Sequence, residues 1–449
     1  MSRRAILALS ILLLSLFVLT LGRRAWAEPG GDLSVEAAVS LAMENNPQIK
    51  IAEKRVEQAK ARSRGASASK APTLTASALY QETWMEPRYP VYLAGGVPAG
   101  EYALAGYRET WKTALTLTWL LYSSGSVENS IRAANLALEA VRAESARVEQ
   151  GVAHAAKRAF YELQRARARA TVAEEALSLA LEHLRQVEAL YRNGIVAKNE
   201  VLRVKVAVSE AELNLIRAKN GIDVAFSALE RATGTTIKGS YSLPDPAMNP
   251  GQVEIPDNPA QTALSIRPEL KALEFSGRSA RAAAAAAAGE KGPSLYIQGD
   301  AFSAGQEFYP DAVDDWKIIA VAEWKLYDGG RSRARKDEAL AVAGELLQRI
   351  EDMKRQVELE VSVSMLDLRS ALQRLDVAAA QVAFAEEDHR MAVARYAAQV
   401  GTNIDALDAR VALSNSKTQL VDAVYDALCA DSDVRFAMGI DPEILKSKR

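Results

Sequence analysis

One long duplication constrains this chain more than any other feature. Trp119-Leu120-Leu121-Tyr122-Ser123-Ser124-Gly125 returns 205 positions later as Trp324-Lys325-Leu326-Tyr327-Asp328-Gly329-Gly330. Tyr191, Leu202 and Gly234 return at the same spacing as Tyr396, Leu407 and Gly439. Upstream the spacing is 221, with Asn46-Pro47 answering to Arg267-Pro268 and Pro72 to Pro293. The difference of 16 places one insertion between Tyr80 and Trp119. A spacing held from Trp119 to Gly234 marks a duplicated structural unit. We therefore divide the chain into a first repeat at 28–238, a proline-rich connector at 239–262, a second repeat at 263–439 and a tail at 440–449.

Each copy predicts the same order: helix, strand, loop, strand, very long helix, turn, helix. In the first copy a helix is expected from Val35 to about Ala68, closed by Pro72. The segments Thr73–Tyr80 and Lys112–Tyr122 alternate or are β-prone, and Ser294–Phe302 and Trp316–Tyr327 take their places in the second copy. The first hairpin loop, about Glu86 to Gly106, is rich in Gly, Pro and Tyr; the second, Ser303 to Asp315, is shorter and acidic. The connector, with Pro244, Pro246, Pro250, Pro256 and Pro259, is expected to be extended.

The long helix begins after Gly125 and runs to about Tyr191. Its apolar positions, from Val127 and Ile131 through Leu138, Val152, Leu163, Leu177 and Val187, advance by alternating steps of four and three with one stutter. Val201, Val204, Val208, Ala211 and Leu229 continue the seam on the returning helix. Much of this seam is alanine, which lets helices approach closely but buries little area. Each helix is therefore expected to pack on two flanks, and Leu202, Leu213 and Ile216 supply part of a second apolar stripe. A cylinder of helices needs two such stripes, whereas a plain two-stranded coil needs one.

Arg3 and Arg4 precede an apolar run from Ala5 to Leu21, and Ala25-Trp26-Ala27 offers a small-residue cleavage site. We read residues 1–27 as a cleaved export signal; the rival is an uncleaved anchor. No later segment approaches the roughly 20 apolar residues of a spanning helix, so a membrane-embedded mature chain must use a closed β-barrel. Four strands cannot close one, since about eight are the practical minimum. Three subunits supply twelve and bring the long helices together. The fold class expected is thus mainly α with a small β part, a long antiparallel helical coiled-coil barrel joined to a transmembrane β-barrel shared by a trimer. A soluble bundle with two hairpins at one end remains open on periodicity alone.

Lys and Arg total 55 against 57 Asp and Glu, which gives no basic excess for nucleic acid. One cysteine, Cys429, excludes an internal disulfide, and three histidines make a metal cage improbable. His154, His183 and His389 read as ordinary helix residues, and Gly289-Glu290-Lys291-Gly292 as a helix stop. No phosphate loop, nucleophile elbow or dinucleotide fingerprint occurs. We expect no catalytic residue, no metal and no cofactor.

The signal, the duplicated order and the segments at the helical turns resemble the TolC family of outer-membrane efflux and secretion channels, from Leu33 to Gly439. Tyr191-Arg192-Asn193-Gly194-Ile195-Val196 with Asn199-Glu200-Val201-Leu202, and Asn403-Ile404-Asp405-Ala406-Leu407-Asp408-Ala409, are similar to that family's tip motif. The Trp-x-Leu-Tyr-x-x-Gly segments resemble its strand-to-helix junctions. The resemblance implies a homotrimeric, passive exit duct in the outer membrane of a Gram-negative-type bacterium, with a large periplasmic part. Its partners would be outer-membrane lipid, a periplasmic adaptor and an inner-membrane transporter. It implies a carboxylate constriction at Asp405 and Asp408, with Glu200 as the first-copy equivalent of Asp405. Like-charge coupling between three subunits would raise some of these pKa values. It further implies adaptor contact at Gly194, Val196 and Gly401.

Each assignment has a plainer counterpart. Asp405 and Asp408 are also the acids favoured at a helix start, and the tip glycines also simply turn the chain. Trp119, Tyr122, Trp324 and Tyr327 suit a membrane interface or packing at the strand-helix junction. The second tip departs from the motif: Gln399 stands where the first has Gly194, with Gly401 two residues later, which puts its turn geometry in question. The competing function is a periplasmic coiled-coil adaptor of an export system, although no lipoyl-like or small barrel domain is visible.

Overall fold

The computed structural model describes residues 30–82, 88–92, 94, 96, 98–103, 109–237, 241–245, 257–305 and 313–440. The expected signal segment, the tail beyond 440, most of the connector and parts of both hairpin loops lie outside them. In chain order the elements are β1 (Gly30–Asp32), α1 (Val35–Asn45), α2 (Pro47–Ala68), β2 (Thr73–Glu82), β3 (Arg88–Tyr92), β4 (Pro98–Ala103) and β5 (Glu109–Tyr122). There follow α3 (Ser126–Arg192), α4 (Lys198–Thr233), β6 (Tyr241–Ser242), α5 (Pro259–Ile266) and α6 (Pro268–Gly289). The last four are β7 (Ser294–Gly305), β8 (Val313–Glu323), α7 (Arg331–Ala397) and α8 (Asn403–Met438). They fall into two compact units, each drawing on both halves of the sequence: Ala52–Ser145 with Pro268–Arg355, and the remainder.

The single helix expected from Val35 to Ala68 is two, α1 and α2, because Asn46 leaves helical geometry at ψ 128°. Arg267 does the same at ψ 125°, between α5 and α6. In both places a proline follows and denies its predecessor the helical conformation. α1 opens on Ser34, whose hydroxyl accepts the Ala37 N–H at 3.2 Å.

In the first unit, β2, β5, β7 and β8 form one antiparallel sheet in that order. The β5–β7 ladder, from Trp111 opposite Gly305 to Tyr122 opposite Leu295, joins the two copies and leaves β2 and β8 as edges. Directly opposed residues share a face. Leu74, Leu115, Leu117, Trp119, Ala301, Trp316 and Ile318 therefore lie on one face, and Thr75, Thr116, Thr118, Gln298, Asp300 and Lys317 on the other. Leu115, Leu117 and Trp119 are exposed, while Thr116 and Thr118 between them are half-buried. On the polar face the Thr116 hydroxyl donates to Asp300 Oδ1 at 2.7 Å, Gln298 donates to the same carboxylate at 3.0 Å, and Lys317 approaches it at 3.5 Å.

Two strand expectations need correction. The second-copy strand stops at Glu323 rather than Tyr327; Glu323 pairs with Ser294, where β7 begins, so nothing in the sheet extends it further. The first hairpin loop contains a two-stranded antiparallel ribbon, β3–β4, from Arg88 opposite Ala103 to Tyr92 opposite Pro98. Tyr and Val in Arg88–Tyr92 favour strand more than the Gly and Pro content suggested.

In the second unit α3 packs between α4 and α8, and α8 between α3 and α7, while α4 also meets α8 directly near the tips. Leu177, Ala180 and Leu184 of α3 meet Val208 and Ala211 of α4. Ala168 and Val172 on another flank of α3 meet Val421, Val424 and Tyr425 of α8. Leu368 and Ala371 of α7 meet Ala427, Ala430 and Val434 of α8. α3 thus packs on two flanks, as its alanine content requires. The outer helices keep exposed apolar stripes, with Leu202 at 53% and Ile216 at 57% on α4, and Leu359 at 64% and Leu366 at 61% on α7. α4 and α8 end on Gly234 and Gly439, both left-handed at φ 75° and 72°. No helix among the described residues is long and apolar enough to cross a membrane.

Candidate functional site

The two helical tips have the same backbone closure. At the first, Gly194 adopts φ 73°, its N–H bonds the Tyr191 carbonyl at 2.9 Å, and Ile195 N–H bonds the Leu190 carbonyl at 3.0 Å. At the second, Gln399 adopts φ 61°, its N–H bonds the Tyr396 carbonyl at 3.0 Å, and Val400 N–H bonds the Arg395 carbonyl at 3.0 Å. Gln399 therefore preserves the turn at the cost of left-handed strain. Gln399→Gly is expected to stabilise the tip by up to about 1 kcal/mol; thermal melts followed by helical circular dichroism check it. Gly401 is needed for a different reason: a Cβ there would lie 2.9 Å from the Arg395 Cβ.

Glu200 and Asp405 occupy the third position of α4 and α8, yet they do different work. Asp405 completes a capping box: its backbone N–H donates to the Thr402 hydroxyl at 3.2 Å, and its carboxylate accepts the Thr402 N–H at 3.0 Å. These backbone and hydroxyl bonds hold the Asp405 carboxyl below its ordinary range. Within one subunit the cap thus acts opposite to the like-charge effect expected of an assembled ring. Asp405 and Asp408 are both exposed. The residue before α4 is Ala197, which has no capping side chain. Glu200 instead accepts the Tyr396 hydroxyl at 3.2 Å. Burial, and then the Glu200 charge, push the Tyr396 phenol up to about 12.

Beneath the tips lies a polar contact that the sequence did not reveal. His183 Nε2 and Asn403 Oδ1 are 2.7 Å apart and buried, and the His183 ring meets the Tyr396 ring edge-on at 5.3 Å. Val187, Val201, Val204 and Ala406 form a core cluster with Tyr396, and Val196 is partly buried against them. Repeat equivalence gave no warning, because Tyr191 is 43% exposed where Tyr396 is 5% exposed. Gly194 is exposed.

Trp119 and Trp324 have matching roles at the other candidate positions. Their indole N–H groups donate to the carbonyls of Lys70 and Lys291, each at 3.1 Å, just beyond the ends of α2 and α6. Tyr122 and Tyr327 are exposed. Ser124 and Gly125, both left-handed, lead into α3, and a Cβ on Gly292 would collide with Ser124. The Gly289–Gly292 segment is thus a close-approach turn.

A mainly helical chain of long paired helices with a small, two-faced antiparallel sheet defines the fold of outer-membrane channel subunits. The chain belongs to the outer membrane efflux protein family, whose model matches residues 38–235 and 260–440. Its structure is similar to that of CusC, at TM-score 0.78 and 18% identity over 93% of this chain and 96% of that one. It is similar to VceC of Vibrio cholerae at TM-score 0.75 and 20% identity over 90% and 96%. It is also similar to CmeC of Campylobacter jejuni at TM-score 0.75 and 17% identity over 95% and 94%. At such identities the likeness is one of fold. No curated protein sequence matches the chain.

Proposed function

We propose that three copies of this chain form a passive exit duct in the outer membrane of a Gram-negative-type cell, extending into the periplasm. The observation that carries this is the sheet, with one apolar face, one polar face and two open edges. Unpaired edges are not tolerated in hydrocarbon; pairing β8 of one subunit with β2 of the next yields a twelve-stranded barrel with its polar face inward. The exposed stripes on α4 and α7 support the same closure, since they lie on the outer helices where neighbouring subunits would meet. CusC is described in terms of transmembrane channel formation, which accords with this reading.

Energy for transport comes from an inner-membrane transporter through a periplasmic adaptor, which meets the tips at Gly194, Val196 and Gly401. Asp405, Asp408 and Glu200 narrow the duct there. Trp119, Tyr122, Trp324 and Tyr327 mark the junction between barrel and helices at the membrane interface. The repeat boundaries at 28–238 and 263–439 describe how such a subunit arises by duplication.

Recording from the purified protein in a planar bilayer tests the duct. Large, cation-preferring steps are expected, and repeated preparations without conductance would overturn it. The double variant Asp405→Asn with Asp408→Asn is expected to weaken cation preference, read as a shift of reversal potential in a salt gradient. An unchanged reversal potential removes both residues from the constriction.

A further inference from the structure

Arg410 is a buried charge that the duct does not explain. It projects from α8 and is 7% exposed. Its hydrogen bond runs from Nη1 to the Ala176 carbonyl of α3 at a long 3.4 Å, and its Nε has no partner. No carboxylate among the described residues forms an ion pair with it. A guanidinium carries five donors in a rigid fork, and leaving one buried without a counter-charge is strongly unfavourable.

The side chain borders a cavity of about 300 Å³ between α3, α4 and α8. The polar part of its lining is Arg169, Glu210, Asn214, Ser414, Asn415 and Thr418. Arg169 is already paired with Asp422 at 2.6 Å, and the Thr418 hydroxyl donates to the Ser414 carbonyl at 2.8 Å. Arg410, the Ser414 hydroxyl and the amides of Asn214 and Asn415 remain as donors toward a guest. Val172, Ala173, Ala211 and Val411 supply apolar wall.

Charges of both signs surround the site, and Lys417 beside it is already paired with Glu175 at 2.9 Å and Glu386 at 3.6 Å. His389 of α7 is held below the usual imidazole range by burial first, then by the charges of Arg410, His183 and Lys417, against the pull of Asp388. The carboxylate that acts on Arg410 is Glu210, exposed on α4.

We propose that this cavity binds a small aliphatic monocarboxylate, its two oxygens on the Arg410 guanidinium, flanked by the Asn214 and Asn415 amides, and its short alkyl tail against the apolar wall. The planar fork matches a carboxylate in two parallel bonds. Glu210 sets the charge limit, because it repels a dianion more than a monoanion. A bound carboxylate joins α3 and α4 of the first copy to α8 of the second, so binding stabilises the helical layer.

Sodium propionate is titrated into the full-length protein in detergent at constant ionic strength, with sodium chloride as the reference, by calorimetry and by thermal melting. Saturable binding with a rising melting temperature is expected. Asn415→Leu, at an exposed position, is expected to weaken binding roughly tenfold, the loss of about one charge-assisted hydrogen bond. Arg410→Gln is expected to abolish it; should that variant not fold, the Asn415→Leu titration decides alone. Absence of saturable binding to the wild type, or equal binding by Asn415→Leu, overturns the site. Inorganic phosphate binding as tightly as propionate overturns the assignment to a monocarboxylate.

Discussion

Leu115→Arg is expected to keep the protein out of a bilayer, whereas Thr118→Arg is expected to insert normally. The two positions lie three residues apart on β5 and on opposite faces of the sheet. Leu115 is near the middle of its strand and 51% exposed, on the face with Leu117, Ala301 and Trp316. A charged side chain at the bilayer midplane of a barrel costs about 2–4 kcal/mol. Three copies in one trimer multiply this to roughly 6–12 kcal/mol, comparable to the whole stability of a domain. Thr118 shares its face with Gln298, so its arginine enters the polar interior and shifts selectivity toward anions. Bilayer insertion frequency and reversal potential read the two effects separately. Equal insertion by both variants would sink the barrel reading, because an aqueous sheet has no reason to distinguish them.

The second large effect is expected at Glu360. Arg267 is 1% exposed and donates to Glu360 Oε2 at 2.6 Å, while Gln356 donates to Oε1 at 2.9 Å. Glu360→Leu deprives a buried guanidinium of this carboxylate. Fully buried pairs lose 3–5 kcal/mol when one partner is removed. The Glu360 side chain is 40% exposed, so water screens part of the loss and about 2 kcal/mol is expected. Adding Arg267→Met should restore much of it, since two apolar residues leave no stranded charge.

The same pair gives a pH dependence. Burial opposes ionisation of Glu360, but the bonds from Arg267 and Gln356 outweigh it and hold its carboxyl below the usual range. Its contribution is therefore present above the unfolded carboxylate pKa and lost as pH falls through the lowered folded value. Melting of wild type and Glu360→Leu should differ at pH 7 and converge in acid. A constant difference across that window would rule out the ionised pair as the source.

The helices were largely legible in the sequence. An apolar step of three and four persists over many turns, and only a continuous helix keeps such residues on one side; α3 accordingly spans Ser126–Arg192. The prolines at 47 and 268 are equally readable, and each denies its predecessor the helical conformation, so the first copy opens with two helices where apolar pattern alone predicts one. The tip turns were located by Gly194 and Gly401, although Gln399 rather than Gly401 takes the left-handed position.

Other features depend on residues distant in sequence. The contacts of His183 with Asn403 and of Arg267 with Glu360 span 220 and 93 residues. The cavity at Arg410 gathers three helices. Periodicity specifies which side of an element is apolar, not which residue stands opposite. The duplication illustrates the division. By itself the sequence determined the paired long helices, the four strands and the two tips, because local pattern and chain stereochemistry suffice for these. Only the tertiary structure decided that Asp405 caps its own helix while its counterpart Glu200 binds Tyr396. Equivalent positions meet different neighbours, and those neighbours determine what a side chain does.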